Sequence, residues 1–147
     1  MKRIITIVLV CLSLQMSAQC WQSVSASLDH SLAIRTDGTL WAWGDNEFGE
    51  LGDNTRVSKN IPTQIGTESN WSKVAAGSDF SLAIKTDGTL WAWGTNTGGV
   101  LGTGTTASFL SVPTQVGTAT NWQSIVARFN HTLPLKSDGS LSAWGKN

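Results

Sequence analysis

Histidines are the side chains of this sequence best suited to acid–base chemistry or to binding a transition metal. The two histidines, His30 and His131, occupy the same place in two similar stretches, and a third similar stretch has Phe80 there. The place therefore accepts an aromatic ring without a ligand nitrogen, and no carboxylate or cysteine recurs beside it with metal-site spacing. The sequence predicts a structural role for both histidines, with neither a catalytic base nor a metal ligand.

Three aspartates are candidate catalytic acids, and they share one setting. Asp37, Asp87 and Asp138 each precede a glycine between two apolar runs. Asp-Gly pairs favour tight hairpin turns, and a two-residue type I′ turn requires positive φ at both central residues. We therefore expect these aspartates to form type I′ turns and to take no part in catalysis.

A denser group of acidic side chains lies in the stretch 45–54, which reads DNEFGELGDN. Its members are Asp45, Glu47, Glu50 and Asp53. Oxygen ligands of this kind suit calcium, but their spacing is not that of an EF-hand loop. A second copy of the stretch replaces all four with residues that carry no carboxylate, namely Thr95, Thr97, Val100 and Thr103. We expect no calcium site here.

The sequence also lacks the motifs that would position a nucleophile or a phosphate. It contains no G-x-S-x-G motif and no glycine-rich loop with the spacing of a phosphate cradle. Ten basic residues balance ten acidic ones without any basic cluster, and a protein that binds nucleic acid needs such a cluster. The sequence therefore predicts no enzyme, no cofactor and no nucleic-acid partner.

The candidate residues recur because the sequence is repetitive. Ser81 to Asn96 reads SLAIKTDGTLWAWGTN, and Ser31 to Asn46 reads SLAIRTDGTLWAWGDN. Trp21, Trp71 and Trp122 open three units that are fifty and fifty-one residues apart. Repeats of this length are typical of solenoids, propellers and arrays. The units span residues 20–69, 70–120 and 121–147, and the third is incomplete.

Each unit has the pattern of four short antiparallel strands. Leu82 and Ile84 alternate with other residues at a period of two, and LWAW follows the turn with apolar side chains on both faces. WSKVAA provides a first strand, and PTQI at Pro62–Ile65 or PTQV at Pro113–Val116 provides a fourth, where proline suits an edge. A hairpin that is apolar on both faces must be covered on both. We expect Trp91 and Trp93 to fill the space between neighbouring sheets.

These features predict an all-β fold, a partial β-propeller of about three four-stranded blades. Residues 1–19, which precede the blades, have the layout of a secretory signal peptide: a basic start, a short apolar run and small residues. The apolar run is shorter than the roughly 20 residues of a membrane span, and no other segment could cross a membrane. We expect a secreted or cell-surface protein. A lipid anchor on Cys20 is the alternative to simple cleavage.

At these residues the chain resembles the regulator of chromosome condensation repeat family. The first copy matches the family pattern at His30–Ile34, Asp37-Gly38 and Trp41–Gly44, and then at Asn46, Gly49, Leu51 and Gly52. The second copy matches at the equivalent residues. The third departs from the pattern at Arg128, Pro134 and Ser142. Members usually close a ring of about seven blades, so the resemblance implies that this sequence is either a fragment of a larger propeller or completes its ring by self-association through open blade faces.

The resemblance and the missing catalytic motifs together predict an exported, non-enzymatic module that binds a protein or a glycan. The alternatives are an inhibitor of an extracellular enzyme and, more remotely, a guanine-nucleotide exchange factor. Contacts are expected in the loops at 45–60 and 95–111, which differ most between copies. The candidate contact residues are Asp45, Asn46, Glu47, Phe48, Thr95, Asn96, Thr97 and Phe109.

Overall fold

The computed structural model describes residues 20–146, which form three antiparallel sheets that follow one another along the chain. The first blade consists of β1 (Trp21–Ala26), β2 (His30–Arg35), β3 (Leu40–Gly44) and β4 (Lys59–Gln64). The second consists of β5 (Trp71–Ala76), β6 (Phe80–Lys85), β7 (Leu90–Thr95) and β8 (Phe109–Gln115). The third consists of β9 (Trp122–Arg128), β10 (His131–Lys136) and β11 (Trp144–Gly145).

Strands within each blade pair in the order in which they occur in the sequence, which is the meander expected of a propeller blade. The first strands of successive blades lie near one another, since β5 contacts both β1 and β9. A single 3₁₀ turn, Thr97–Gly99, is the only helical segment among residues 20–146. The prediction of an all-β partial propeller with an incomplete third blade is confirmed.

The core of the protein lies between the blades. At each interface, aliphatic side chains of one blade pack against tryptophans of the blade that follows it in the sequence. Leu32, Ile34 and Leu40 of the first blade pack with Trp71 and Trp93 of the second. The same arrangement recurs between the second blade and the third, where the buried or partly buried residues include Leu82, Ile84, Leu90, Trp122 and Trp144.

The two tryptophans expected between blades differ in burial. Trp93 has no exposed surface, as the sequence predicts, and its ring lies 6.3 Å from that of Trp71. Trp91 is only half-buried and packs against the margin of the same cluster. The ammonium group of Lys85 lies 3.8 Å from the centre of the Trp91 ring, so this tryptophan holds a cation as well as apolar neighbours.

The Asp-Gly turns are not the type I′ turns that the sequence predicts. Only glycine has positive φ in the turn, +80° at Gly38. The amide of Gly38 donates to the Arg35 carbonyl, and the amide of Arg35 donates to the Thr39 carbonyl, which is the pattern of a three-residue hairpin loop. Asp37 is held in ordinary backbone geometry because its Oδ1 accepts hydrogen bonds from the Thr39 amide (3.0 Å) and hydroxyl (2.6 Å).

The outer strands begin earlier than the sequence indicates. β4 starts at Lys59 and β8 at Phe109, so Pro62 lies inside its strand rather than at the start. Both are edge strands, where the missing amide of proline costs no ladder bond. In the third blade, Pro134 lies inside β10 and has no backbone amide to donate to the ladder. β10 pairs with β11 only at His131 and Thr132, with one isolated bridge beyond the proline.

Candidate functional site

The strands of the blades begin and end at two opposite ends of the stack. One end, which we call the loop end, carries the short turns 27–29, 77–79 and 129–130 together with the long loops 45–58 and 96–108. The pairing of His30 with Gly44 brings the start of β2 beside the end of β3. The other end, which we call the turn end, carries the Asp-Gly turns and the connections between blades.

Each long loop is organised by one asparagine. The side-chain amide of Asn46 donates to Asp53 Oδ1 (3.2 Å) and to the Val57 carbonyl (3.2 Å). Its oxygen accepts a hydrogen bond from the Leu51 amide (3.0 Å). Asn46 has no exposed surface, so a partner protein could contact only other residues of this loop. Asn96 holds the second loop through the equivalent bonds.

The same loops fasten each blade to the next. The carbonyl oxygen of Glu50 accepts hydrogen bonds from Ser81 Oγ (2.7 Å) and Trp93 Nε1 (2.8 Å) of the second blade. In the next interface the Val100 carbonyl accepts from Thr132 Oγ1 (2.8 Å) and Trp144 Nε1 (2.9 Å). The loops that vary most in sequence therefore have a structural function on their inner side. Only their outer side is open to a partner.

The other candidate contact residues divide by exposure. Glu47 and Thr97 are exposed, Asp45 and Phe48 are half-buried, and Thr95 is buried with 5 % of its surface exposed. Phe109 has 38 % of its surface exposed. Its ring lies 5.0 Å from the guanidinium of Arg56, and Arg56 in turn donates to the Glu47 carbonyl.

Four carboxylates gather at the loop end of the first two blades. Burial raises the pKa of Asp79, and the nearby charges of Asp29, Asp45 and Glu47 raise it further. The backbone amide of Asp45 also donates to the Asp29 carbonyl (2.8 Å), which ties one turn to one loop. Asp29, Asp45, Glu47 and Asp79 form what we call the acidic cluster. Sequence analysis missed Asp29 and Asp79, although their shared place in the repeat was a usable sign.

His30 lies beside this cluster and is not arranged for catalysis. Its Nε2 donates to Ser81 Oγ (2.9 Å), because the Ser81 hydroxyl proton is used by the Glu50 carbonyl. Burial lowers the pKa of His30 to about 4, against the opposing effects of the Ser78 backbone, Asp29 and Asp45. The ring is therefore neutral at pH 7. Ser81 has no exposed surface, so no substrate reaches this His–Ser pair.

A notch opens at the loop end where the three short turns meet. It has a volume of about 240 Å³. Its lining residues are Ala26–Leu28, Ala76–Ser78 and Ala127–Phe129. At its rim, Leu28 exposes 71 % of its surface and Phe129 exposes 58 %. Phe129 has φ of +47°, an unusual conformation for an aromatic residue. The Ser78 amide holds that turn by donating to the Phe129 carbonyl (3.1 Å).

Two of the four carboxylates considered for calcium, Glu50 and Asp53, are occupied within their loop. Glu50 accepts a hydrogen bond from the Phe48 amide (2.8 Å). Asp53 accepts from the Thr55 amide (2.9 Å) and hydroxyl (2.6 Å) and lies 3.4 Å from the Lys59 ammonium. In the part of the chain that the structure describes, no three His, Cys, Asp or Glu side chains are grouped so as to hold a metal ion.

Two expectations concern the start of the chain. Residues 1–19, the expected signal peptide, lie outside the described residues. Cys20 is exposed with a free thiol, and its carbonyl accepts a hydrogen bond from the Thr36 amide (2.9 Å) at the turn end. Within residues 20–146, no helix has the length and apolar character to span a membrane.

Two family models for the regulator of chromosome condensation (RCC1) repeat match this chain. One matches residues 37–84 and 87–134, and the other matches residues 21–50 and 71–100. The first model alone covers well over half of the chain. Both include the tryptophan-bearing strands β3, β5 and β7.

Solved structures of propeller proteins share this arrangement of strands. Human WBSCR16 is 22 % identical over 87 % of this chain and 33 % of its own, with a TM-score of 0.80. Yeast RCC1 (Prp20), solved bound to Kap60, is 25 % identical over 88 % of this chain and 30 % of its own, with a TM-score of 0.78. Prp20p from Saccharomyces cerevisiae, described with its binding properties to Gsp1p and histones, is 25 % identical over 90 % and 32 %, again with a TM-score of 0.78. This chain spans about a third of the length of these proteins.

Proposed function

The chain belongs to the regulator of chromosome condensation repeat family, and we propose that it is an exported, non-enzymatic module that binds a partner protein through its loop end. Repeats of this family are typically protein-interaction modules. The propeller scaffold holds the turns and loops rigidly at one end, which is the usual way in which a fold presents a binding surface.

The observation that carries the proposal is the difference between the two ends. At the loop end, the large apolar side chains of Leu28, Val57 and Phe129 are exposed, and the acidic cluster lies close by. The turn-end segments 36–39, 86–89 and 137–140 contain no exposed large apolar residue. Exposed apolar side chains rimmed by charge are typical of protein–protein contact sites.

The absence of catalysis is supported by how the titratable groups are used. A catalytic site needs a nucleophile, a base and an orienting group that converge on accessible space. The serine–histidine pair formed by Ser81 and His30 is sealed between blades, with 0 % and 3 % exposure. The turn aspartates Asp37, Asp87 and Asp138 each bond to the threonine or serine two residues later. They therefore stabilise their turns.

Export rests on the layout of residues 1–19. We propose that the mature chain begins near Gln19 or Cys20 and is secreted or held at the cell surface. Mass spectrometry of the protein recovered outside the host cytoplasm should give a mass that lacks the first 18 or 19 residues. A mass increased by lipid would identify the anchor at Cys20, and an intact Met1 on cytoplasmic protein would refute export.

A second candidate, self-association, is favoured by the open sides of the outer blades. Trp21 and Val24 of the first blade are 43 % and 69 % exposed, and Leu133 and Leu141 of the third are 36 % and 64 % exposed. These positions match residues that are buried between blades elsewhere in the chain. Light scattering after size exclusion should show one discrete oligomer that Val24→Glu converts to monomer. A wild-type monomer would contradict this proposal.

Two narrower functions depend on the partner. Inhibition of an extracellular enzyme requires that the partner be an enzyme whose active site the loop end covers. Nucleotide exchange requires a GTPase partner, and export places the protein away from such a partner. Turnover assays of the recovered partner, with and without this protein, separate these functions from simple binding.

The proposal is tested by variants at the two ends. Immobilised wild-type protein and the loop-end variant Leu28→Ser/Phe129→Ser are incubated with the extracellular proteins and glycans of the host. Partners should be lost from this variant and kept by the turn-end control Thr36→Ala/Ser137→Ala. Equal retention by both variants, or loss only from the control, would contradict binding at the loop end.

A further inference from the structure

The notch at the loop end has a floor of small residues and an apolar rim. Its floor is formed by small side chains and backbone at Ala76, Gly77 and Ala127, and its rim by the exposed side chains of Leu28 and Phe129. A hollow of this size and composition accommodates one apolar side chain of a ligand. A side chain that enters it removes apolar surface from water on both partners, which favours binding.

Carboxylates stand directly beside this hollow. Asp29 follows Leu28 in the first turn, and Asp79 follows Ser78 in the second, so each lies one residue from the lining of the notch. Asp45 and Glu47 add their charges, and burial together with these three neighbouring carboxylates raises the pKa of Asp79. A cation placed among these groups would relieve their mutual repulsion.

His30 takes no part in this contact. It is 3 % exposed and sealed between the blades, where its Nε2 bonds to Ser81 Oγ and its ring also interacts with the Ser78 backbone. The acceptors offered to a ligand are therefore the carboxylates of the acidic cluster, which suit a ligand that brings donors.

We propose that the notch is the docking point for a peptide segment of the partner that places an apolar side chain in the hollow and a neighbouring lysine or arginine against the acidic cluster. This proposal rests on the function proposed above and names the chemistry of the partner. Charge complementarity of this kind sets register and association rate as well as affinity.

One cation of the protein itself bears on the proposal. Arg128 lines the notch, and its guanidinium lies 5.7 Å from the centre of the Phe129 ring. Its positive charge repels a basic ligand, but the four negative charges of the acidic cluster exceed it. Removing the Arg128 charge should therefore strengthen the binding of a basic peptide. If the notch instead bound an acidic ligand, the same change would weaken that binding.

The probe is a fluorescein-labelled nonapeptide with one leucine flanked by two lysines in a glycine–serine background. Its controls replace both lysines by glutamate or the leucine by serine. Anisotropy with the purified chain in 50 mM salt should show binding of the first peptide only. The binding should weaken at 500 mM salt, because exposed charges are then screened. Equal binding of the glutamate peptide, or no binding of the lysine peptide, would overturn the proposal.

Variants of the protein test whether the peptide binds at the notch. Asp29→Asn/Asp79→Asn should weaken the lysine peptide about 2- to 30-fold, the range for two exposed ion pairs. The control Asp87→Asn/Asp138→Asn removes the same charge at the turn end and should leave affinity unchanged. Leu28→Ser should abolish discrimination between the leucine and serine peptides, and Arg128→Gln should tighten binding. An equal loss of affinity in both double variants would show that net charge, and not the position of the carboxylates, causes the effect, which would overturn the proposed site.

Failure of this inference is separable from failure of the proposed function. If Leu28→Ser/Phe129→Ser loses the natural partner while no basic peptide binds, then the loop end is the binding surface and the ligand chemistry is different. If that variant keeps its partner, the loop end itself is the wrong surface.

Discussion

Replacing His30 by phenylalanine tests the electrostatic cost of a buried imidazole between two blades. The second blade has Phe80 at the same place, with no exposed surface, so the fold accepts this ring there. Burial lowers the pKa of His30 from 6.5 to about 4. Between these pH values the unfolded chain binds a proton and the folded chain does not, so the contribution of His30 to stability falls as pH falls through this window.

The magnitude follows from the shift. At about 1.4 kcal/mol per pKa unit, a change from 6.5 to about 4 costs at most about 3.4 kcal/mol once the pH is below the folded value. About 2 kcal/mol of this is lost between pH 7 and pH 5. Glu50 and Asp79 act with the opposite sign, because burial raises the pKa of each and the folded chain then binds protons more readily as pH falls.

Urea unfolding of the wild type and of His30→Phe at pH 7 and pH 5 isolates the effect, because the other groups are common to both proteins. The wild type should lose up to about 2 kcal/mol more than the variant over this interval. His131→Phe, which removes the exposed histidine of the third blade, should keep the wild-type difference. An identical pH dependence in wild type and His30→Phe would refute the reasoning.

Two further predictions concern packing and backbone geometry. Trp93→Phe removes the bond to the Glu50 carbonyl and part of a fully buried ring, and should lower the free energy of unfolding by about 1–3 kcal/mol. Trp43 is half-buried and has no such bond within residues 20–146, so Trp43→Phe should cost less. Equal urea midpoints for the two variants would contradict a stabilising role for the bond between Trp93 and the Glu50 carbonyl. Gly88 and Gly117 have φ of +78° and +60°, but a Cβ would lie 2.1 Å from the Thr120 carbonyl oxygen only at Gly88. Gly117→Ala should lower the free energy of unfolding by about 1–2 kcal/mol, and Gly88→Ala should lower it clearly more. Equal losses would contradict this, because they would show that the backbone moves to relieve the contact with Thr120.

The fold was predictable because the strands of the repeat carry a recognisable apolar pattern. Leu82, Ile84 and the LWAW strand are apolar on both faces, which requires a covering blade on each side. Sequence reasoning failed where a local side-chain contact decided the outcome. The hydroxyl and amide of Thr39 hold Asp37 in ordinary geometry and change the turn type. Periodicity alone carries no information about such a bond.

The candidate site was only partly predictable. Variation between copies pointed to the long loops, and Asp45 and Glu47 do belong to the acidic cluster at the loop end. Variation does not distinguish the outer side of a loop from its inner side, so the buried amide of Asn46 could not be told from an exposed one. Asp29, Asp79 and Phe129 escaped notice because the notch forms only when three turns, each about fifty residues apart, meet in space.

Site-specific photo-crosslinking tests the central claim, that the loop end is the binding surface, most directly. A photo-reactive amino acid replaces Leu28 at the loop end or, in a separate protein, Thr36 at the turn end, and both positions are exposed. After irradiation among the extracellular components of the host, the Leu28 derivative should give a discrete crosslinked species that the Thr36 derivative does not give. A species obtained only from Thr36, or from neither position, would contradict binding at the loop end.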